Sequence, residues 1–470
     1  KRALSVHELE ELLEINDVNG LKELLKTLNY LEDNAQVYHT KKDKFMLFND
    51  SNSRVGILQV TTKGTGYVML DSGEEIKVYP ENLNGAINKD KVIVNIDDKN
   101  NTPLTGSIVR IVERANDQVV GTVYFNKKRI FVKPDDRKLN IKIVIDKNYH
   151  NNLVEGHKVL VKLLGLNPQK EYRCQVIRVL GHINDPGVDI LSIMAKYNIN
   201  DAFPSEVMEQ VQNEVPSELS KEEIDKRLSS TGKDLRDEVI FTIDGDDTKD
   251  IDDAISIEKL DNGNYKLGVH IADVSYYVKE NSPLDKEALK RGTSVYLADR
   301  VTPMLPHELS NGICSLNPNV DRFAISCIME IDNNGNVVNY DIFDSIIRSR
   351  IQMTYKKANQ VMDDNIIPEG YEEYVDKLLL MKELAAILRK NKVDKGYIDF
   401  DIEEPKLVIN EDGECIDVSL RERGTGEKLI EDFMIAANET VASHFYHMDY
   451  PLVYRIHGEP SEEKINTFLS

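Results

Sequence analysis

The sequence predicts a multidomain α+β protein: a helix–helix–hairpin start, two small β-barrels and a larger mixed domain. Three observations carry that reading. At 470 residues the chain is too long for one hydrophobic core. From residue 54 to about 180, short β-type runs alternate with glycine turns. Beyond residue 234 the pattern opens with apolar β runs and hairpin turns and becomes helical from about Met362.

Residues 5 to 14 fit a capped amphipathic helix, with Ser5 at its start and Leu9, Leu12 and Leu13 in its apolar stripe. Residues 17 to 31 fit a second, with Leu21, Leu24, Leu25, Leu28 and Leu31 on one side. A β-type pair follows at Gln36–Tyr38 and Phe45–Phe48, so residues 1–50 look like a partial winged-helix domain. The first barrel is expected over 54–100. Its Lys63-Gly-Thr-Gly-Tyr-Val68 resembles the cold-shock RNA-binding signature, although Thr65 takes an aromatic position. The second barrel, also of cold-shock/OB type, is expected over 106–180. From Ser107 to Leu180 there are 15 basic against 7 acidic residues, a local +8 inside a chain of net charge −22. There Tyr124, Phe125 and Phe131 interleave with Lys127, Lys128 and Arg129, a combination that suits single-stranded nucleic acid. Residues 181–233 read as a linker with an acidic helix from Ser217 to Leu228, and 234–470 as one larger α+β domain.

The richest segment is Phe241-Thr-Ile-Asp-Gly-Asp-Asp-Thr-Lys-Asp-Ile-Asp-Asp-Ala-Ile-Ser-Ile257. An apolar run delivers Asp244; Asp250, Asp252 and Asp253 follow before a second apolar run leaves. Carboxylates crowded between two apolar strands repel one another unless a cation lies among them, and oxygen donors of this kind suit Mg²⁺, with Mn²⁺ as the alternative. An EF-hand calcium loop does not fit: counted from Asp244, Lys249 stands where the pattern has its glycine. An acidic solvated turn is the bland alternative, and the apolar flanks argue against it.

Further segments stand in order after the aspartates. They are Gly268-Val-His-Ile-Ala-Asp-Val274, Arg291-Gly-Thr-Ser-Val-Tyr-Leu297, Pro303-Met-Leu-Pro306, Glu308-Leu-Ser-Asn-Gly-Ile-Cys-Ser-Leu-Asn-Pro318, Lys428-Leu-Ile-Glu-Asp-Phe-Met-Ile-Ala-Ala-Asn-Glu439 and Tyr454-Arg-Ile-His457. As an ordered set they resemble the catalytic (RNB) domain of the ribonuclease II / ribonuclease R family of 3′→5′ exoribonucleases. The resemblance implies processive, Mg²⁺-assisted hydrolysis of single-stranded or 3′-overhang RNA to nucleoside 5′-monophosphates. It implies a metal centre of Asp244, Asp250, Asp252 and Asp253, an aromatic clamp from Tyr296 with Phe400 as partner ring, and Tyr355 and Glu431 near the terminal ribose. Asp246 and Asp247 fall off the family positions; His270 and Asp273 are read as structural, and Arg455 and His457 as phosphate contacts or strand ties. The family's downstream Pro-Ile-Arg-Arg-Tyr segment is not among residues 1–470, so the catalytic domain is expected to be incomplete here.

No apolar stretch is long enough to span a bilayer, and Cys174, Cys314, Cys327 and Cys415 are scattered without a CxxC pair. The expectation is a cytoplasmic monomer whose partner is single-stranded RNA, with the ribosome or ribosomal RNA as a further partner. The competing reading is an RNA-binding or ribosome-associated module that does not cut.

Overall fold

A computed structural model describes residues 2–470 apart from 35, 41, 99–102, 128, 140, 147, 149–151, 401 and 411–412. The chain divides into two compact units, one essentially residues 1–200 and the other Asp201–Ser470 without 411–414.

The first unit opens with α1 (Val6–Leu12) and α2 (Val18–Asp33). Ser5 and Glu8 form a reciprocal capping box on α1, and Asp17 accepts from the Asn19 and Gly20 amides to start α2. Leu24 and Leu28 bury against Phe45 of the hairpin β1–β2 (Val37–His39, Phe45–Leu47), whereas Leu25 stays exposed. This is the expected helix–helix–hairpin.

Two closed five-stranded barrels follow. The first holds β3 (Ser53–Val60), β4 (Gly66–Met69), β5 (Glu75–Val78), β6 (Lys91–Asp98) and β7 (Leu104–Glu113), in the order β3-β4-β5-β7-β6. Alternate residues Leu58, Val60, Val68, Ile76 and Val78 fill it, at roughly 1.5–3 kcal/mol per fully buried aliphatic side chain. Gly66 permits tight closure, since a Cβ there would meet Leu58 Cδ1 at 2.8 Å. The second barrel holds β8 (Gln118–Asn126), β9 (Arg129–Pro134), β10 (Ile143–Ile145), β11 (His157–Leu166) and β12 (Tyr172–His182). The strand over 104–113 therefore closes the first barrel rather than opening the second. Its parallel pairing with β5 decides this, and strand periodicity does not encode which barrel a strand joins.

Residues 181–233 are more structured than a linker. Helix α3 (Val188–Lys196) lays Ala195 on Val120 and Leu180 of the second barrel. Helices α4 (Ser205–Glu214) and α5 (Lys221–Ser229) belong to the second unit, where Val207 and Val211 pack with Leu284 and Ala288.

That unit is built on a five-stranded sheet in the order β13-β20-β19-β16-β15. Its strands are β13 (Lys233–Asp234), β15 (Asp253–Lys259), β16 (Tyr265–Ala272), β19 (Asp321–Ile331) and β20 (Val337–Arg348). A separate parallel pair joins β14 (Thr242–Asp244) to β21 (Gln352–Thr354). The remaining pieces are α6 (Pro283–Arg291), the hairpins β17–β18 (Val295–Tyr296, Val301–Thr302) and β22–β23 (Pro405–Ile409, Cys415–Leu420), and helices α7 (Tyr355–Asn359), α8 (Val375–Asp394), α9 (Thr425–His447) and α10 (Glu462–Leu469). One sheet face, with Ile257, Leu267, Val269 and Met329, buries against Leu378, Leu384, Leu429 and Phe433 of α8 and α9. Among the described residues no helix is long and apolar enough to cross a membrane, and the four cysteines are free.

Candidate active site

The aspartates meet because three strand ends meet. Phe241, just before β14, exchanges backbone hydrogen bonds with Ile255 of β15 (3.1 and 2.9 Å), which brings Asp244 and Asp253 to one mouth. Between them the loop dips into the core: Ile251 is fully buried, so the flanking Asp250 and Asp252 are left at the rim. Asp244 is also opposite Thr354 in the parallel pair, and Tyr355 follows as the first residue of α7.

Crowding marks the electrostatics. Burial, then the charge of Asp253, pushes Asp244 up to about 7. Burial, then Asp252, pushes Asp253 up to about 6. Asp252 is raised as well by its crowded surroundings and by Asp250, although its side chain still reaches solvent. Asp244 Oδ2 is buried with no hydrogen-bond partner. A hard divalent cation would satisfy that oxygen and relieve the repulsion, so the donor set fits one. Among the described residues, however, no three Asp, Glu, His or Cys side chains form a ready-made metal-binding group.

The other expected residues lie as follows. Tyr296, at the turn end of β17, is 67% exposed and donates its phenol to Asp250 Oδ2 at 2.8 Å. Burial and that bond push its phenol up to about 12. The Tyr355 phenol is raised too, by burial and by Asp253 and Asp244, so it stays protonated beside them. Phe400 is exposed and meets Phe468 edge-on, centroids 5.9 Å apart. Glu431 is held by charge rather than open: Arg423 donates to it, and Arg389 and Lys392 lie 3.8 and 3.9 Å away. Arg423 also reaches Asp399 at 2.8 Å, and Arg389 and Lys392 bind the buried Asp432 at 2.9 and 3.0 Å.

His270 and Asp273 are structural in their contacts. His270 is fully buried between Ser256 (3.1 Å) and Ser326 (2.7 Å), and Asp273 pairs with Arg227 at 2.7 Å. In the second barrel Lys127 is exposed at a turn. Arg129, read from sequence as an RNA contact, is ion-paired with Glu171 and lies 4.9 Å from the Phe131 ring centroid. Lys128 lies outside the described residues.

The model of the RNB domain family matches residues 232–470, just over half of the chain. The chain belongs to the RNB domain family. Ahead of its RNB domain, the Ribonuclease B OB domain matches 56–111 and the Cold shock domain 131–204, within the stretch that holds the two barrels and α3. Ribonuclease R 1 of Lactococcus lactis is 40% identical over 491 residues, covering all of this chain and 59% of the relative. Ribonuclease R of Thermotoga maritima is 41% identical over 449 residues, 94% of this chain and 62% of the relative. The chain thus spans about three fifths of these curated relatives' length. Among solved structures, Mycoplasma genitalium RNase R in complex with ribose-methylated single-stranded RNA superposes with a TM-score of 0.80 at 27% identity, over 88% of this chain and 65% of that one.

Two contributions to the RNB site had no role in the sequence reading. Ser315, inside the Ile313-Cys-Ser-Leu316 segment, bonds the aspartate loop, and Arg423 ties Glu431 to Asp399. Ser315 carried a signal, being a small polar residue in an apolar run; Arg423, among mixed charges, carried none.

Proposed function

We propose that the chain carries the hydrolytic centre of a 3′→5′ exoribonuclease that shortens single-stranded or 3′-overhang RNA to nucleoside 5′-monophosphates. The observation that carries this reading is the convergence of Asp244, Asp250, Asp252 and Asp253 on one strand mouth of an RNB domain, with Tyr296 bonded to one of them. The relatives' name, Ribonuclease R, and the RNA-bound Mycoplasma genitalium structures support RNA as the substrate class.

The four aspartates would hold Mg²⁺, or Mn²⁺ in its place. A bound cation of this kind supplies positive charge at the scissile phosphate and makes the attacking water more acidic. The protein's own groups do the rest. The exposed Tyr296 ring offers a stacking face to the last base, which holds the end still without reading sequence. The Tyr355 phenol, kept protonated among carboxylates, is a donor for a phosphate or sugar oxygen. Phe400 supplies a second ring. Glu431 reaches the terminal ribose by exchanging its bond from Arg423 for one from the 2′-hydroxyl. On the second barrel the exposed Lys127 meets the RNA backbone, and Arg129, already paired with Glu171, contributes less.

The test is incubation of the protein with 5′-end-labelled RNA and Mg²⁺, followed by product identification. Release of nucleoside 5′-monophosphates with progressive shortening from the 3′ end is expected. RNA that is bound yet intact would instead make the chain a non-cleaving binding module.

A further inference from the structure

We infer that Ser315 is a positioning residue for the cation-binding loop, acting through the backbone on both sides of Asp250. This rests on the reading that the aspartates hold a divalent cation. Ser315 is fully buried, and its hydroxyl is used twice. Oγ donates to the Lys249 carbonyl at 2.8 Å and accepts from the Ile251 amide at 3.1 Å. One hydroxyl therefore spans the two peptide units that flank Asp250. Next to it, the Leu316 amide donates to the Ile251 carbonyl at 2.9 Å, so the loop is stitched at three successive peptide units.

The anchor is itself fixed. Arg322, almost fully buried, donates from Nε to the Ser315 carbonyl at 2.9 Å and from Nη2 to the Gly312 carbonyl at 3.2 Å. The turn over 312–315 is thus held against β19 and passes its position on to the aspartates. Nothing in the bond pattern aims the Ser315 hydroxyl at a substrate: both of its bonds are to backbone.

Residues that orient metal ligands typically change metal affinity or activity by about 10–100-fold when removed. The experiment is Mn²⁺ titration of the protein followed by electron paramagnetic resonance, with RNA KM measured at saturating metal. Ser315→Ala is expected to weaken Mn²⁺ binding by about 10–100-fold while leaving the KM for RNA near wild type. Ser315→Thr, which keeps the hydroxyl, is expected to restore binding. Ser345→Ala removes another buried hydroxyl, one bonded to Ser326 and the Ala324 carbonyl, and is expected to leave Mn²⁺ affinity unchanged. Should Ser315→Ala not fold, Ser315→Cys keeps the volume with a weak donor and is expected to shift affinity the same way. Wild-type Mn²⁺ affinity in the Ala or Cys variant would overturn the positioning role. A wild-type protein that binds no Mn²⁺ would overturn the metal reading itself, and this inference with it.

Discussion

The Tyr296 phenol donates to Asp250 Oδ2 at 2.8 Å across 46 residues of sequence, so the ring proposed to stack on the RNA end is tied to a carboxylate proposed to bind the cation. The position of the Tyr296 ring and that of the aspartates are thereby coupled. The two roles of Tyr296 separate by substitution: Phe keeps the face and loses the donor, whereas Ala loses both.

Tyr296→Ala is therefore expected to leave a longer residual oligonucleotide than wild type, and Tyr296→Phe a residual of wild-type length. One lost stack costs about 1–3 kcal/mol, small beside the contacts of a long RNA and large for the last few nucleotides. Denaturing gels of exhaustive digests provide the check. Identical end products in all three proteins would assign the clamp to another ring.

Asp252→Asn keeps the shape of the side chain and removes its charge. Turnover is expected to fall by about 10²–10³, the range seen when one electrostatic stabiliser is lost, with RNA affinity near wild type. Single-turnover rates and equilibrium binding on the same RNA separate the two effects. Wild-type turnover would take Asp252 out of the mechanism.

The raised carboxylates give a stability prediction with a definite sign. Asp244 and Asp253 titrate near 7 and 6 when folded, above the ordinary carboxylate value of 3.8. The folded state therefore binds more protons than the unfolded one over that interval. Their contribution to stability is fully present below pH 3.8 and is lost as pH rises through 6 and 7. A divalent cation held as proposed would replace the lost protons. Mg²⁺ is expected to raise the melting temperature over EDTA by more at pH 8 than at pH 5, read by differential scanning calorimetry. An equal effect at both values would detach the cation from these groups.

On the second barrel, Lys127 and Arg129 should behave differently despite similar charge. Exposed Lys127 is expected to act on RNA as a free cation, each neutralised phosphate contributing about −0.7 to the slope of log affinity against log salt. Lys127→Glu should flatten that slope for long RNA. Arg129→Gln breaks a pair with Glu171 instead, and should change the slope less. Filter binding over a salt series decides between them, and a larger change from Arg129→Gln would reverse the assignment.

What could be read without coordinates, and what could not, follows the range of the interactions. The aspartate mouth was legible because its signal is local: Asp244 ends one apolar run and Asp253 begins the next. The helix starts at Ser5 and Asp17 were legible for the same reason. The placement of β7 was not, since its partner β5 lies far back in the chain and either barrel could accept an alternating strand. The pairing of Arg129 was not legible because Glu171, its partner, is 42 residues away. Glu431 was located on α9, yet its ties to Arg389 and Arg423 depend on how α8 and the segment before α9 fold onto it.

The parallel pairing of Asp244 with Thr354 also sets a timetable. More than a hundred residues separate the two strands, so closing this loop is a non-local event that carries a chain-entropy cost before any contact rewards it. During synthesis at ~5–20 residues per second, the second strand is made roughly 5–20 seconds after the first. Until then Asp244 has no neighbouring Tyr355. A nascent chain thus carries its acidic loop without Thr354 and Tyr355 beside Asp244, and the completed aspartate mouth is a late product of synthesis.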